Sequence, residues 1–182
     1  MIRYKIALLG LLKEQPMHGY EINRQIEERY MEHWAKINTA SIYNNLSSLN
    51  KKGLVKVKKK KIGKMPERKE YHITARGGRE LKALLKKGLS LYERENNAVF
   101  LLSMGFMLHL SANEALASLN IRKDALKDFL RHVDDKHSGF IKKIPFNWAF
   151  IIINSMNHIK TEIKNVEAVI KSVKSGVKGF KR

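Results

Sequence analysis

The chain has 182 residues, of which 36 are Lys or Arg and 17 are Asp or Glu, giving a formal net charge of +19. This length suits one large domain or two small ones, and a hydrophobic share of 43% is enough for a packed core. Cysteine is absent, which excludes disulfides, thiolate zinc sites and cysteine nucleophiles. The longest apolar stretch, 98–110, has 13 residues, whereas a membrane-spanning helix needs about 20. We therefore expect a soluble, cytoplasmic protein without a membrane partner.

The positive charge extends over the whole chain. Residues 1–80 hold 18 basic and 8 acidic side chains, and residues 81–182 hold 18 and 9. Such an excess is compatible with a nucleic acid or another polyanion as partner, and equally with a source genome that favours lysine. The local arrangement of the charges has to decide between these explanations.

The first part of the chain is predicted to form three short helices. Apolar residues at spacings of three and four predict helices over 2–12 and 19–29, and a break is expected near 31–38. Thr39 is the expected N-cap of a third helix, which Gly53 ends.

A basic β-hairpin follows the third helix. Apolar and polar residues alternate over 55–58 and again over 70–73, which predicts two strands. Thr74 is the expected N-cap of the helix that follows. Three helices followed by a basic hairpin is the plan of a winged helix-turn-helix domain, which we place in residues 1–80.

The third helix has the pattern of a DNA-reading helix. At about 100° per residue, Ile42, Leu46 and Leu49 fall on one side and are expected to face the core. The opposite side is small, amide, hydroxyl or basic, and no acid occurs between Glu32 and Glu67. Such a surface can enter a major groove without charge repulsion. The outward residues are Ala40, Asn44, Ser47, Ser48 and Lys51, with Ser41 and Tyr43 on the flanks; the Asn44 amide suits a bidentate pair with adenine.

Lysines dominate the hairpin. A run of this kind alone most often indicates a solvated face, but beside a recognition helix it predicts a wing that contacts the sugar-phosphate backbone. The hairpin residues predicted to contact DNA are Lys58, Lys59, Lys60, Lys61, Lys64, Arg68 and Lys69.

Several of these segments together resemble the PadR family of bacterial transcriptional regulators. The resemblance covers roughly residues 5–81, in order and in register. It is carried by Ala7-Leu8-Leu9-Gly10-Leu11-Leu12, His18-Gly19-Tyr20-Glu21-Ile22, Trp34, Ser41-Ile42-Tyr43, Leu46, Leu49, Gly53-Leu54-Val55 and Arg68-Lys69-Glu70-Tyr71-His72-Ile73-Thr74.

The resemblance implies a homodimeric winged-helix repressor that binds a palindromic DNA operator and is released by a small molecule. It also implies that Tyr20, Ser41 and Tyr43 lie at the DNA surface, and Thr39 at the start of the third helix is expected there too. A departure is Ala40, where the family often has Gly. Alanine favours the helix start but changes how closely the backbone can approach a phosphate.

The second part of the chain, 81–182, is predicted to be a helical dimerisation domain, so that the whole fold is mainly α with a small β-hairpin. Ser111 to Glu114 fits a capping box. The last helix carries an a/d seam at alternating spacings of three and four, formed by Ile152, Met156, Ile159, Ile163, Val166, Ile170, Val173 and Val177. The seam either packs against helices of its own chain or forms a homodimer interface, and it can do both.

Aromatic and histidine side chains are the candidates for an effector pocket and a catalytic site. Trp148 and neighbouring aromatic residues either line a pocket for a small apolar or aromatic effector or form ordinary core. No catalytic or metal-binding motif occurs, since His132 and His137 project about 140° apart on a helix. We therefore expect no enzyme and no cofactor. The alternatives to a specific repressor are a non-specific nucleic-acid-binding or architectural protein, and a protein-interaction module that uses the seam.

Overall fold

The computed structural model describes residues 2–60, 68–92, 97–137, 139–176 and 179–180. Their contacts form two compact units. The first contains the described residues up to 89 together with 97–110, and the second contains 90–92 and the described residues from 111 onward. The division expected after residue 80 falls inside a helix of the first unit, because the two helices that follow the hairpin pack with the winged-helix core.

Helix α1 (Ile2–Glu14) is the centre of the first unit. Instead of one buried face it has a continuous buried run, Ile6 to Leu12. Helices α2 (Gly19–Glu28), α4 (Ile42–Lys51) and α6 (Asn97–Gly105) all pack against α1. A helix that is covered on several sides buries residues at every position of the turn, which explains the unbroken apolar stretch.

The segment between α2 and α4 is more ordered than the sequence predicted. A single-turn helix, α3 (Met31–Trp34), occupies the expected break, and a 3₁₀ turn over Thr39–Ser41 precedes α4. The expected N-cap Thr39 is wrong by one position: the side-chain oxygen of Asn38 accepts a hydrogen bond from the Ala40 N–H at 2.9 Å. Gly53 has a φ of +66° after the last turn of α4, which confirms its role as the helix stop.

The sheet has three antiparallel strands in the order β1-β3-β2, with β1 (Met17–His18), β2 (Val55–Lys60) and β3 (Arg68–Ile73). The predicted hairpin is confirmed. Strand β1 was not predicted, because two residues are too short to display an alternation. Tyr71 in the central strand lies opposite Met17 on one side and Val57 on the other.

Helix α5 (Ala75–Ser90) begins as predicted: the Thr74 hydroxyl oxygen accepts a hydrogen bond from the Gly77 N–H at 3.0 Å. The same hydroxyl donates to the carbonyl oxygen of Gly53 at 2.8 Å. Thr74 therefore joins the start of α5 to the end of α4.

The second unit is built on two long helices, α7 (Ala112–His137) and α8 (Phe146–Lys174), which pack along each other. The capping box is confirmed, since Ser111 and Glu114 each accept a hydrogen bond from the other's backbone N–H at 3.2 and 3.0 Å. Within the described ranges, no helix combines the length and the apolar character that crossing a bilayer requires.

Arg122 is the unexpected member of this second core. Its side chain is only 1% exposed, although a charged residue is expected to face water. Its Nε donates to Glu162 Oε1 at 3.1 Å, and its Nη1 donates to the carbonyl oxygen of Leu91. The guanidinium also lies over the Tyr92 ring, 5.6 Å from its centroid. Arg122 thus ties the segment after α5 to both long helices.

Candidate nucleic-acid interface

Helix α4 displays the two faces that its sequence predicts. Ile42 and Leu46 are fully buried and Leu49 is 3% exposed, so the apolar side faces the core. Most of the predicted reading side is exposed, namely Ala40, Tyr43, Asn44, Ser47 and Lys51, whereas Thr39, Ser41 and Ser48 are half-buried. Every exposed member is uncharged or cationic.

Two adjacent asparagines on α4 differ in what their amides do. The Asn45 side-chain Nδ2 donates to the carbonyl oxygen of Ser41 at 2.8 Å, so this amide stabilises the start of the helix. The Asn44 side-chain amide makes no hydrogen bond to another described residue, and the side chain is exposed. The Asn44 amide is therefore available to a ligand, with both a donor and an acceptor.

The beginnings of α2 and α4 meet at Gly19. A Cβ built on Gly19 would lie 2.5 Å from Cε1 and 2.9 Å from the hydroxyl oxygen of Tyr43. A side chain at position 19 would therefore require the Tyr43 ring to move. The sequence did not indicate that Tyr43 is the residue in contact with Gly19.

His18 connects this contact to the hairpin. Its ring is stacked on Tyr20, with centroids 5.9 Å apart and planes 7° apart. Its Nδ1 lies 3.0 Å from the carbonyl oxygen of Lys69, which can only accept, so Nδ1 donates. The predicted contact residues Tyr20, Tyr43 and Lys69, from three different elements, are thus brought together around His18 and Gly19.

Tyr71 lies beneath this cluster. Burial raises the pKa of the Tyr71 phenol above its usual value of 10.0, and the nearby Tyr43 raises it further. Tyr71 is therefore a neutral packing residue throughout the physiological pH range.

The hairpin places like charges opposite each other. Lys59 pairs with Lys69 and Lys60 with Arg68, whereas Lys58 is opposite Glu70. Like charges at directly opposed positions destabilise a strand pair, so a polyanion bound to the hairpin would relieve the repulsion. Lys58, Lys59 and Lys69 are exposed. Lys61 and Lys64 lie outside the described residues.

The predicted seam of α8 is buried inside its own chain. The buried members are Met156, Ile159, Ile163, Val166, Ile170 and Val173, while Ile152 is half-buried. The intra-chain alternative therefore accounts for most of the seam, and the burial is against α7.

The first part of α8 instead exposes large apolar side chains. Phe146 is 87% exposed, Trp148 60% and Phe150 65%, and Ile151 and Ile153 are also exposed. Trp148 is thus at the surface of a single chain rather than in an enclosed pocket. The sequence contained a signal for this surface, because aromatic residues at 146, 148 and 150 continue around the helix instead of following the seam.

Among the residues that the structure describes, no group of three His, Asp or Glu side chains is arranged to hold a metal ion.

Comparison with known proteins identifies relatives of this first unit. Residues 8–83 match the model of the transcriptional regulator PadR-like family. The negative transcriptional regulator PadR of Bacillus subtilis (strain 168) is 28% identical over 138 residues, which are 76% of this chain and 73% of that protein.

Two solved structures align with nearly the whole chain. The crystal structure of Bacillus subtilis PadR in complex with operator DNA is 22% identical, with a TM-score of 0.44, and the alignment covers 93% of this chain and 98% of that one. The structure of the same protein in complex with p-coumaric acid is 21% identical, with a TM-score of 0.41, and covers 95% and 97%.

Proposed function

We propose that the chain, whose residues 8–83 match the model of the transcriptional regulator PadR-like family, is a homodimeric, sequence-specific repressor that binds a palindromic operator. In this proposal α4 enters the major groove, and Asn44 and Ser47 read base edges. Tyr20, Tyr43 and the hairpin lysines bind the backbone and fix the register of α4 in the groove.

The observation that carries the proposal is the exposed face of α4. It presents an amide and hydroxyls without a single acid, next to a strand pair in which Lys59 is opposite Lys69. A face selected only for solubility would have no reason to exclude acids, and a structural hairpin would avoid opposed like charges. Both features are favourable in contact with DNA.

The homodimer is proposed to form through the exposed apolar start of α8. Contiguous exposed aromatic residues on a soluble chain usually mark an interaction surface, and a two-fold dimer is the commonest closed assembly. A dimer would also present two α4 helices to two half-sites of a palindrome.

Release by a small-molecule effector is the remaining part of the proposal. The relative of known structure was crystallised with p-coumaric acid as well as with DNA. Trp148 is exposed on the proposed dimer surface. It would therefore contact an effector in a pocket that forms between two subunits. Quenching of its fluorescence by a ligand tests this role.

Selection of genomic fragments by the purified protein tests the proposed function. A specific repressor enriches fragments that share a palindrome, and a large excess of random duplex does not displace it from them. The second candidate, a non-specific nucleic-acid-binding protein, is favoured by the net charge of +19. In that case random duplex competes almost mole for mole, and no common sequence is enriched.

A further inference from the structure

Three consecutive residues, His18, Gly19 and Tyr20, lie at the junction of the elements that carry the predicted DNA contacts. The His18 ring is bonded to the hairpin through the carbonyl oxygen of Lys69. Gly19 is in close contact with the Tyr43 ring of α4. Tyr20, in the first turn of α2, is stacked on His18. The segment 18–20 therefore joins the start of α2 to both α4 and β3.

The bond to Lys69 lies where the short strand β1 ends. The ladder between β1 and β3 ends with the pair of His18 and Glu70. Lys69 comes next toward the tip of the hairpin, and Gly19, which would face it in a longer β1, already belongs to α2. The His18 Nδ1 donates to the Lys69 carbonyl oxygen at 3.0 Å. A side chain thus supplies a hydrogen bond of the kind that a further strand residue would form.

His18 is held on the helix side as well. Its backbone N–H donates to Glu21 Oε2 at 2.6 Å, which ties it to the first turn of α2. The bond to the hairpin persists in both protonation states of the ring, because a carbonyl oxygen only accepts. The neutral ring therefore carries its proton on Nδ1, and a protonated ring carries one there too.

We propose that His18 is a positioning residue that fixes the hairpin relative to the start of α2, so that both bind the DNA backbone in one arrangement. The bonded carbonyl belongs to Lys69 and the stacked ring to Tyr20, and both of these residues are predicted DNA contacts. A hairpin that is held in place before binding loses less conformational freedom on contact with DNA than a hairpin that is free to move. The inference rests on the proposed function.

Two substitutions separate the hydrogen bond from the stacked ring. His18→Asn keeps a donor, since the asparagine Nδ2 occupies about the place of the histidine Nδ1, and it removes the ring. His18→Phe keeps a ring that can stack on Tyr20 and removes the donor. The control is His132→Phe, the same substitution at an exposed position of α7.

Fluorescence anisotropy with labelled operator measures the effect on DNA binding. One hydrogen bond corresponds to an affinity change of about three- to tenfold. A dimer that binds with both hairpins loses two of them, so we expect His18→Phe to bind the operator about 10–100-fold more weakly. His18→Asn should restore the affinity to within about threefold of the wild type, and His132→Phe should leave it unchanged.

Hydrogen exchange of the free, full-length protein tests the attachment in the absence of DNA. Backbone amides of β3 should exchange about three- to tenfold faster in His18→Phe than in the wild type, because removal of one hydrogen bond lets the strand open locally. Amides of α7, in the second unit, should exchange at the same rate in both proteins. In His18→Asn, the amides of β3 should exchange like those of the wild type.

The outcomes separate this inference from the proposed function. Equal loss of operator affinity in His18→Asn and His18→Phe would assign the effect to the ring and overturn the positioning role. Unchanged affinity in His18→Phe, or unchanged exchange in β3, would overturn it too. A wild-type protein that selects no palindrome loses the proposed function, whereas faster exchange of β3 in His18→Phe alone would still show that His18 holds the hairpin.

Discussion

The ring of Tyr43 lies so close to Gly19 that the start of the reading helix and the start of α2 share one contact. We expect Gly19→Ala to push the ring away and to weaken operator binding by about tenfold, because Tyr43 loses its position on the DNA side. Because the Tyr43 ring is 52% exposed and can move aside, the free energy of unfolding should change by less than about 1 kcal/mol. Fluorescence anisotropy with labelled operator and urea unfolding measure the two effects.

The matched control is Gly105→Ala, since a Cβ there has no neighbour within 4 Å. This variant should leave DNA affinity and the urea midpoint nearly unchanged. Equal DNA affinity in the two variants would contradict a role for the Tyr43 position.

The two adjacent asparagines of α4 allow base recognition to be compared with stabilisation of the helix. Asn44→Ala should relax sequence preference at one operator position by about 1–3 kcal/mol, since a bidentate amide–adenine pair is lost. Asn45→Ala removes the bond to the Ser41 carbonyl and should lower stability while the preferred sequence stays the same. Binding to a set of singly substituted operators measures both. An identical preference in Asn44→Ala and the wild type would exclude Asn44 as a base contact.

The contribution of the hairpin to DNA affinity should depend on salt concentration. Lys58→Ala should reduce affinity for specific and random duplex alike, and lower the slope of log affinity against log salt concentration by about 0.9. Lys164→Ala, which removes the same charge from the second unit, should leave the slope nearly unchanged. Titrations at four salt concentrations measure the slope. An equal decrease in the two variants would mean that only the total charge matters.

Removing either partner of the buried ion pair should have unequal effects. Glu162→Ala leaves the guanidinium of Arg122 in a core without its counter-charge, and should lower the free energy of unfolding by about 3 kcal/mol. Arg122→Met should lower it less, because methionine fills the space and Glu162 is 23% exposed and can be hydrated. Urea unfolding followed by circular dichroism ranks the variants.

The exposed pair of Lys127 and Glu167, at 46% and 44% exposure, supplies the control. Lys127→Met should change stability by less than about 1 kcal/mol. A larger loss in Arg122→Met than in Glu162→Ala would contradict the idea that the unpaired buried cation dominates.

The exposed start of α8 should determine assembly. Phe150→Asp should dissociate the dimer while the helix content remains, because Phe150 is 65% exposed in a single chain. Each of the two chains loses one buried aromatic ring, about 1.5–3 kcal/mol per ring, which corresponds to a dissociation constant that is about 10²–10⁴-fold higher. Sedimentation at several concentrations measures it. A chain that is monomeric before substitution would contradict the proposed interface.

The buried and exposed faces of α4 could be predicted because a helix that packs against one core buries residues with a 3.6-residue period. Ile42, Leu46 and Leu49 are compatible with only one buried face. The ends of the elements at Gly53 and Thr74 could be predicted because capping is local. The place of Arg122 could not, because its partner Glu162 is 40 residues away and a charged residue within an apolar stripe normally faces water.

The seam of α8 was compatible with two packing partners, a helix of the same chain or a second chain, and the sequence could not distinguish between them. A helix with a heptad repeat buries the same residues whether its partner is α7 or a second chain. The structure assigns the repeat from Met156 onward to α7, and this leaves the aromatic residues around Trp148 for the proposed contact between chains.

One part of α8 packs against α7 of its own chain, whereas the first part of α8 exposes its apolar side chains. This division has a kinetic consequence. Since the seam is satisfied within each chain, two chains can separate without melting α7 from α8. Subunits should therefore exchange when two dimer preparations are mixed. Differently tagged dimers would form mixed dimers at a rate set by dimer dissociation alone. A regulator built this way could sample new partners throughout its lifetime without passing through an unfolded state.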